Sequence, residues 1–234
     1  MKYFQFIIFS AISIITGYGH HVNDNELPAQ PHYTAEILLG NKQAFDPTSG
    51  WTEQQYTFTF HKPWNVNLNE RHRFDKATNT HTFLLLKGDA SFQQNSTTSP
   101  RCEMRVQNDY TSGMNQFEAD YKVYKGSQHP IIMQVFGGTT SATAFNMKAY
   151  DENEGSFKHY DSKVLQTGIY DKWQHVNVIH NADSGKVMVY INKVLKGTFN
   201  DKGDATHYFK CGIYTTRSDT SKVEIRNIRF WVKK

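Results

Sequence analysis

The chain has 234 residues, 38% hydrophobic and 14% aromatic, with 26 Lys and Arg against 22 Asp and Glu for a formal charge of +4. That is material for one sizeable core, and all-β sandwiches of this length commonly fold as single domains. With no basic run, no Cys/His cluster at ligand spacing and no helix suited to a groove, the chain excludes nucleic acid as a partner, while its small basic surplus suits a polyanion.

Residues 1–19 have the build of a secretory signal: Lys2 precedes an apolar run from Phe4 to Ile15, and small residues follow at Gly17 and Gly19. The run is too short for a convincing membrane span. We therefore expect a secreted, extracellular monomer that is free of the membrane once the signal is removed. Its formal charge falls to +3, because Lys2 is the one charged residue lost. Residues 20–34, with His20, His21, Pro28 and Pro31, read as a flexible mature N-terminus, and 35–234 as one domain.

Beyond residue 34 no long stretch repeats its apolar residues every 3.6 positions, whereas short alternating runs between turn signals recur. Strands are expected over 55–60, 81–87, 101–107, 114–124, 130–136, 144–150, 155–164, 173–180, 186–191, 208–214 and 222–232. Reversals fall at 181–185 and 191–193. About eleven short strands in one domain predict a two-sheet jelly-roll sandwich. The loops at 87–100 and 137–143, rich in Ser, Thr, Gly and Asn, are candidates to flank a groove. The first carries the sequon Asn95-Ser96-Thr97, a glycosylation candidate.

Three of these strands carry chemistry. Alternation puts Arg101, Glu103, Arg105 and Gln107 on one face and Cys102, Met104 and Val106 on the other. It likewise groups Tyr208, Lys210, Gly212 and Tyr214 against Phe209, Cys211 and Ile213. Gln134 is a lone amide in an apolar strand and needs partners. The polar faces predict an anion-binding trough in which Gly212 lets a ligand approach the backbone. Cys102 and Cys211, both on the apolar side, are candidates for one disulfide or for two buried thiols.

The motifs Pro100-Arg101-Cys102-Glu103-Met104-Arg105, Met133-Gln134-Val135-Phe136-Gly137, Tyr170-Asp171-Lys172-Trp173 and Tyr208-Phe209-Lys210-Cys211-Gly212-Ile213-Tyr214 resemble the alginate-lyase jelly rolls. The branch they look most like is that of the fungal glucuronan lyases and the plant citrate-binding proteins. The resemblance runs over roughly residues 45–232. It implies Arg101, Gln134 and Tyr214 as active-site residues, with Glu103, Arg105 and Lys210 as neighbours; Gln107 and Tyr208, on the same strand faces, join these as expected substrate-binding residues. Phe136 stands where the alginate lyases carry a His. His81 is the first candidate to replace it and His72 the second.

A uronate lyase removes the C5 proton beside a carboxylate and expels the C4 oxygen, so cations and amides must neutralise the carboxylate while a base takes the proton. Tyr214 is the expected base, and an acidic polysaccharide the expected partner. No cofactor is required, and a structural calcium ion is compatible with the family although no spacing identifies ligands. A glycosidase reading from Glu118 and Asp120 fails on the third acid, because Lys122 and Tyr124 occupy the next same-phase positions. The alternative from another class is a non-catalytic binder of uronate chains or citrate on the same face.

Overall fold

The computed structural model describes residues 46–139, 143–215 and 220–233. The expected signal and mature N-terminus lie outside the described residues. The described chain is all β apart from a single 3-10 turn at Leu68–Glu70, and none of its helices is long and apolar enough to cross a membrane.

Fifteen strands form two antiparallel sheets: β1 (Thr52–Gln54), β2 (Phe58–His61), β3 (His72–Asp75), β4 (Thr80–Leu85), β5 (Arg101–Val106), β6 (Met114–Val123), β7 (Pro130–Phe136), β8 (Thr143–Tyr150), β9 (Ser156–His159), β10 (Lys163–Thr167), β11 (Gln174–Asn181), β12 (Lys186–Ile191), β13 (Val194–Asn200), β14 (Tyr208–Thr215) and β15 (Ser221–Lys233). The first sheet runs β13-β12-β11-β6-β15-β4-β3, with β1 also paired to β15. The second runs β10-β9-β8-β7-β14-β5-β2. Neighbours far apart in sequence, such as β14 between β5 and β7, are the crossovers of the expected jelly roll.

The alternating apolar residues meet between the sheets. Phe117, Tyr121 and Phe230 from the first and Met104, Phe145, Phe157 and Phe209 from the second are fully or nearly fully buried in one cluster. Burial of this kind, at roughly 25 cal/mol per Å² of apolar surface, is what holds a sandwich together.

Differences from the expected strands have local causes. The run 155–164 is a hairpin, β9 and β10, reversed at Tyr160, whose φ is +47°. β1, β3 and β13 lie outside the expected strands because they are short or lack clean alternation, and β13 is interrupted by Gly197. The reversal at 191–193 is a two-residue hairpin loop. Ile191 pairs with Val194, and Asn192 and Lys193 both take positive φ, the backbone that a tight antiparallel turn needs.

Cys102 and Cys211 are buried free thiols, not a disulfide. Their register explains it. Cys102 faces Ile213, and Cys211 faces Met104 on the same adjacent pair of strands. They are therefore diagonal neighbours, about 7–8 Å apart in such a ladder and beyond the Cα separation a disulfide spans. Burial pushes the Cys102 thiol up to about 12 and Cys211 in the same direction, so both stay protonated.

Candidate active site

The outer face of the second sheet gathers polar residues from four adjacent strands. Lys210 on β14 lies opposite both Gln134 on β7 and Arg105 on β5. Gly212 lies opposite Glu103, Tyr214 opposite Arg101, and His61 on β2 opposite Glu103. Residues directly opposite in a ladder share a face. Arg101, Gln134 and Tyr214 thus come together as the sequence predicts, with Glu103, Arg105, Lys210 and Tyr208 among them.

Glu103 is the centre and, unexpectedly for a residue on a polar strand face, is only 2% exposed. Its Oε1 accepts from Lys210 Nζ at 2.5 Å and its Oε2 from Gln134 Nε2 at 2.9 Å. Arg101 Nη1 stands 3.4 Å and His61 Nδ1 3.6 Å from Oε1. Burial pushes the Glu103 carboxyl up, but His61, Lys210 and Arg101 outweigh it and hold the group below its ordinary value. Burial and the neighbouring arginines lower Lys210, against the pull of Glu103.

Around this buried pair the aromatic residues stack. The Arg101 guanidinium lies 4.3 Å from the Tyr214 ring centroid and 6.0 Å from that of Phe92, and Arg105 lies 3.8 Å from that of Tyr208. Phe92 also packs on His61, with centroids 4.3 Å apart, so the 87–100 loop does flank this face. Asn95 on that loop is exposed. Phe136, in the place of the family His, stacks on Tyr208 at 4.9 Å.

Arg105 is committed elsewhere: Nη2 donates to Asp109 at 2.6 Å and Nη1 to Gln107 Oε1 at 3.0 Å. Gln107, exposed, donates in turn to Thr59. A donor remains unspent. Arg101 Nε is buried and has no hydrogen-bond partner among the described residues, while His61 Nδ1 is turned to Glu103. A buried unpaired donor costs about 1–3 kcal/mol, and an incoming anion would recover that cost.

Two expectations are corrected. His81 and His72 belong to the first sheet and turn toward its partner sheet: His72 Nε2 meets His81 Nδ1 at 3.0 Å, with Phe60, Phe83 and Phe58 around them. Burial pushes both down to about 4 and keeps them neutral. The histidine on the polar face is His61. The alternation Phe58-Thr59-Phe60-His61 carried its signal, one residue past where the strand was expected to end. Gly212 does not make room for a ligand. A Cβ there would lie 2.5 Å from the Cys102 carbonyl oxygen and from Glu103 Cα, and its φ is +134°. The glycine lets β5 and β14 close tightly enough to seat Glu103.

Known proteins resemble this chain in sequence and in fold. Residues 52–231 match the family model described as alginate lyase. A citrate-binding protein of Hevea brasiliensis is 39% identical over 180 residues, 75% of this chain and 74% of that protein. Among solved structures, an alginate lyase of Pseudomonas aeruginosa superposes with a TM-score of 0.60 at 14% identity, covering 76% of this chain and 98% of the other. Alginate lyase AlgAT5 of polysaccharide lyase family 7 does so with a TM-score of 0.57 at 20% identity, covering 78% and 94%. The structural likenesses speak for the fold, the matched residues for descent: the chain belongs to the alginate lyase family.

Proposed function

We propose that this protein is a secreted polysaccharide lyase that cleaves a polyuronate, β-1,4-glucuronan before mannuronan or alginate, by β-elimination on the outer face of the second sheet. The observation that carries the reading is the unspent buried donor Arg101 Nε, beside the His61 imidazole, on the face that also presents the Tyr214 phenol. A uronate carboxylate placed there receives ionic and neutral hydrogen bonds where charge builds as C5 loses its proton. Glu103 does not touch substrate. It positions Lys210 and Gln134, whose nearest donors it already occupies.

Tyr214 takes the C5 proton and returns it to the departing C4 oxygen. One residue suffices where the two lie on the same side of the sugar ring, as in glucuronate and mannuronate. Guluronate presents them on opposite sides and calls for a second proton carrier, a role that Phe136 cannot fill. Offered glucuronan, polymannuronate and polyguluronate in turn, the protein should raise the ultraviolet absorbance of unsaturated uronate with the first two. Tyr214→Phe should lower the rate by about 10²–10⁴-fold, the usual worth of a general acid–base group. Guluronan cleaved as fast as glucuronan would remove the single-residue mechanism.

The relative from Hevea supports a second reading, in which the same face holds citrate or a uronate chain without cleaving it. Retention of polymer or citrate with no absorbance change on any substrate, equal in the wild type and in Tyr214→Phe, would establish that reading and end the first.

A further inference from the structure

Away from the polar face, at the junction of the sheets, His180, Asp201 and His207 converge from three parts of the chain. Each offers one ligand atom, and the three atoms lie within 4.8 Å of one another. His180 is on β11 of the first sheet and is wholly buried. Asp201 opens the loop after β13, and His207 stands just before β14 of the second sheet at 1% exposure. The two imidazoles meet edge-on, with centroids 4.5 Å apart.

We propose that these three residues form a binding site for a late first-row divalent cation, Zn²⁺ being the type, that ties β11 to the loop leading into β14.

The donor set points to that class. Two imidazoles and one carboxylate suit Zn²⁺, Co²⁺ or Ni²⁺, whereas Ca²⁺ takes six to eight oxygens. The surroundings fit as well. Tyr110 Oη lies 3.0 Å from His180 Nδ1 and can fix that ring with Nε2 turned to Asp201 Oδ2, also at 3.0 Å. This is the outer-shell arrangement that orients a metal-binding histidine. A metal between Nε2 and Oδ2 takes the place of the proton they share. His207 is buried against the Phe136–Gly137 backbone, and its Nδ1 makes no full hydrogen bond there. Backbone bonds between Tyr110 and His207, at 3.0 and 2.8 Å, brace the second imidazole.

Tetrahedral bonds of about 2.0–2.2 Å put ligand atoms roughly 3.4 Å apart; His180 Nε2 and Asp201 Oδ2, at 3.0 Å, already stand near that spacing, so it is the segment carrying His207 that the ion draws in. The next residue after His207 is Tyr208, under Arg105 on the polar face. The cation therefore steadies the base of β14. Its role is structural, and the site stands independently of the lyase reading.

The test uses tag-free mature protein stripped with chelator and then titrated with Co²⁺, Zn²⁺ and Ca²⁺. One equivalent of Co²⁺ should give visible bands of tetrahedral cobalt, and Zn²⁺ should displace them and raise the unfolding temperature, while Ca²⁺ does neither. Asp201→Asn and His207→Gln, both near-isosteric, should lose the bands and the Zn²⁺-dependent shift while keeping the wild-type near-ultraviolet circular dichroism. His20→Ala/His21→Ala should retain both signals. No uptake by the wild type, uptake unchanged in Asp201→Asn and His207→Gln, or uptake lost only with His20 and His21 would overturn the proposal.

Discussion

The outer faces of the two sheets each carry a cluster of acids and bases, and the contrast between them shows what separates a site from a scaffold. On the first sheet Glu118 and Asp120 are fully engaged. His175 Nε2 and Nδ1 reach them at 3.2 and 2.8 Å, Trp231 Nε1 donates to Glu118 at 2.6 Å, and Arg226 and Asn227 donate to Asp120 at 3.2 and 2.9 Å. Arg226 in turn covers Trp173 at 4.1 Å. These carboxylates, the pair that suggests a glycosidase, have spent their capacity on neighbours. On the second sheet the central acid is deeper, with Lys210, Gln134, Arg101 and His61 around it, yet the buried Arg101 Nε beside it remains unpaired among the described residues. Self-satisfied charge stabilises a surface; a leftover donor in a dry place awaits a ligand.

The sharpest way to test that contrast is to delete each acid. Glu103→Ala leaves Lys210 buried without its counter-charge and should cost about 3–5 kcal/mol in urea unfolding, as breaking a buried pair does. Glu118→Gln, in a cluster whose Asp120 and His175 are partly exposed and with an amide oxygen still able to accept from Trp231, should cost about 1 kcal/mol. Equal costs would mean that the two faces differ in nothing but position.

Gly212→Ala probes the polar face without touching charge. The added methyl meets the β5 backbone at 2.5 Å and sits at an unfavourable φ, so a loss of about 1–3 kcal/mol is expected, together with reduced activity as Glu103 shifts. A neutral result would show that the strands have slack there.

The smallest effect belongs to the first sheet and is read by pH. Asp120 and Glu118 raise His175 to about 9. Between the unfolded value near 6.5 and about 9, the folded state holds a proton that the unfolded state has released, so His175 contributes stability below that window and loses it as pH rises through it. Wild type should therefore lose stability relative to His175→Asn between pH 6.5 and 9, by a modest amount because the side chain is partly exposed. Parallel curves for the two proteins would contradict that account.

Much of the polar face was legible beforehand because a strand's period of two is local. From the spacing of Arg101, Glu103 and Arg105, and of Tyr208, Lys210 and Tyr214, each set's common face follows directly. His81 shows the limit. Its strand alternates as convincingly, but alternation says only that His81, Phe83 and Leu85 agree with one another, and in the fold they agree on the core.

What the sequence alone determined is therefore the all-β character, the grouping of side chains within each strand and the descent carried by its motifs. The tertiary structure alone decided that Glu103 lies between Lys210, Gln134 and His61, that Arg105 is taken by Asp109, and that His180, Asp201 and His207 meet. Those juxtapositions depend on register between strands dozens of residues apart. Register is set by the packing of the whole sandwich, about which no single strand carries information.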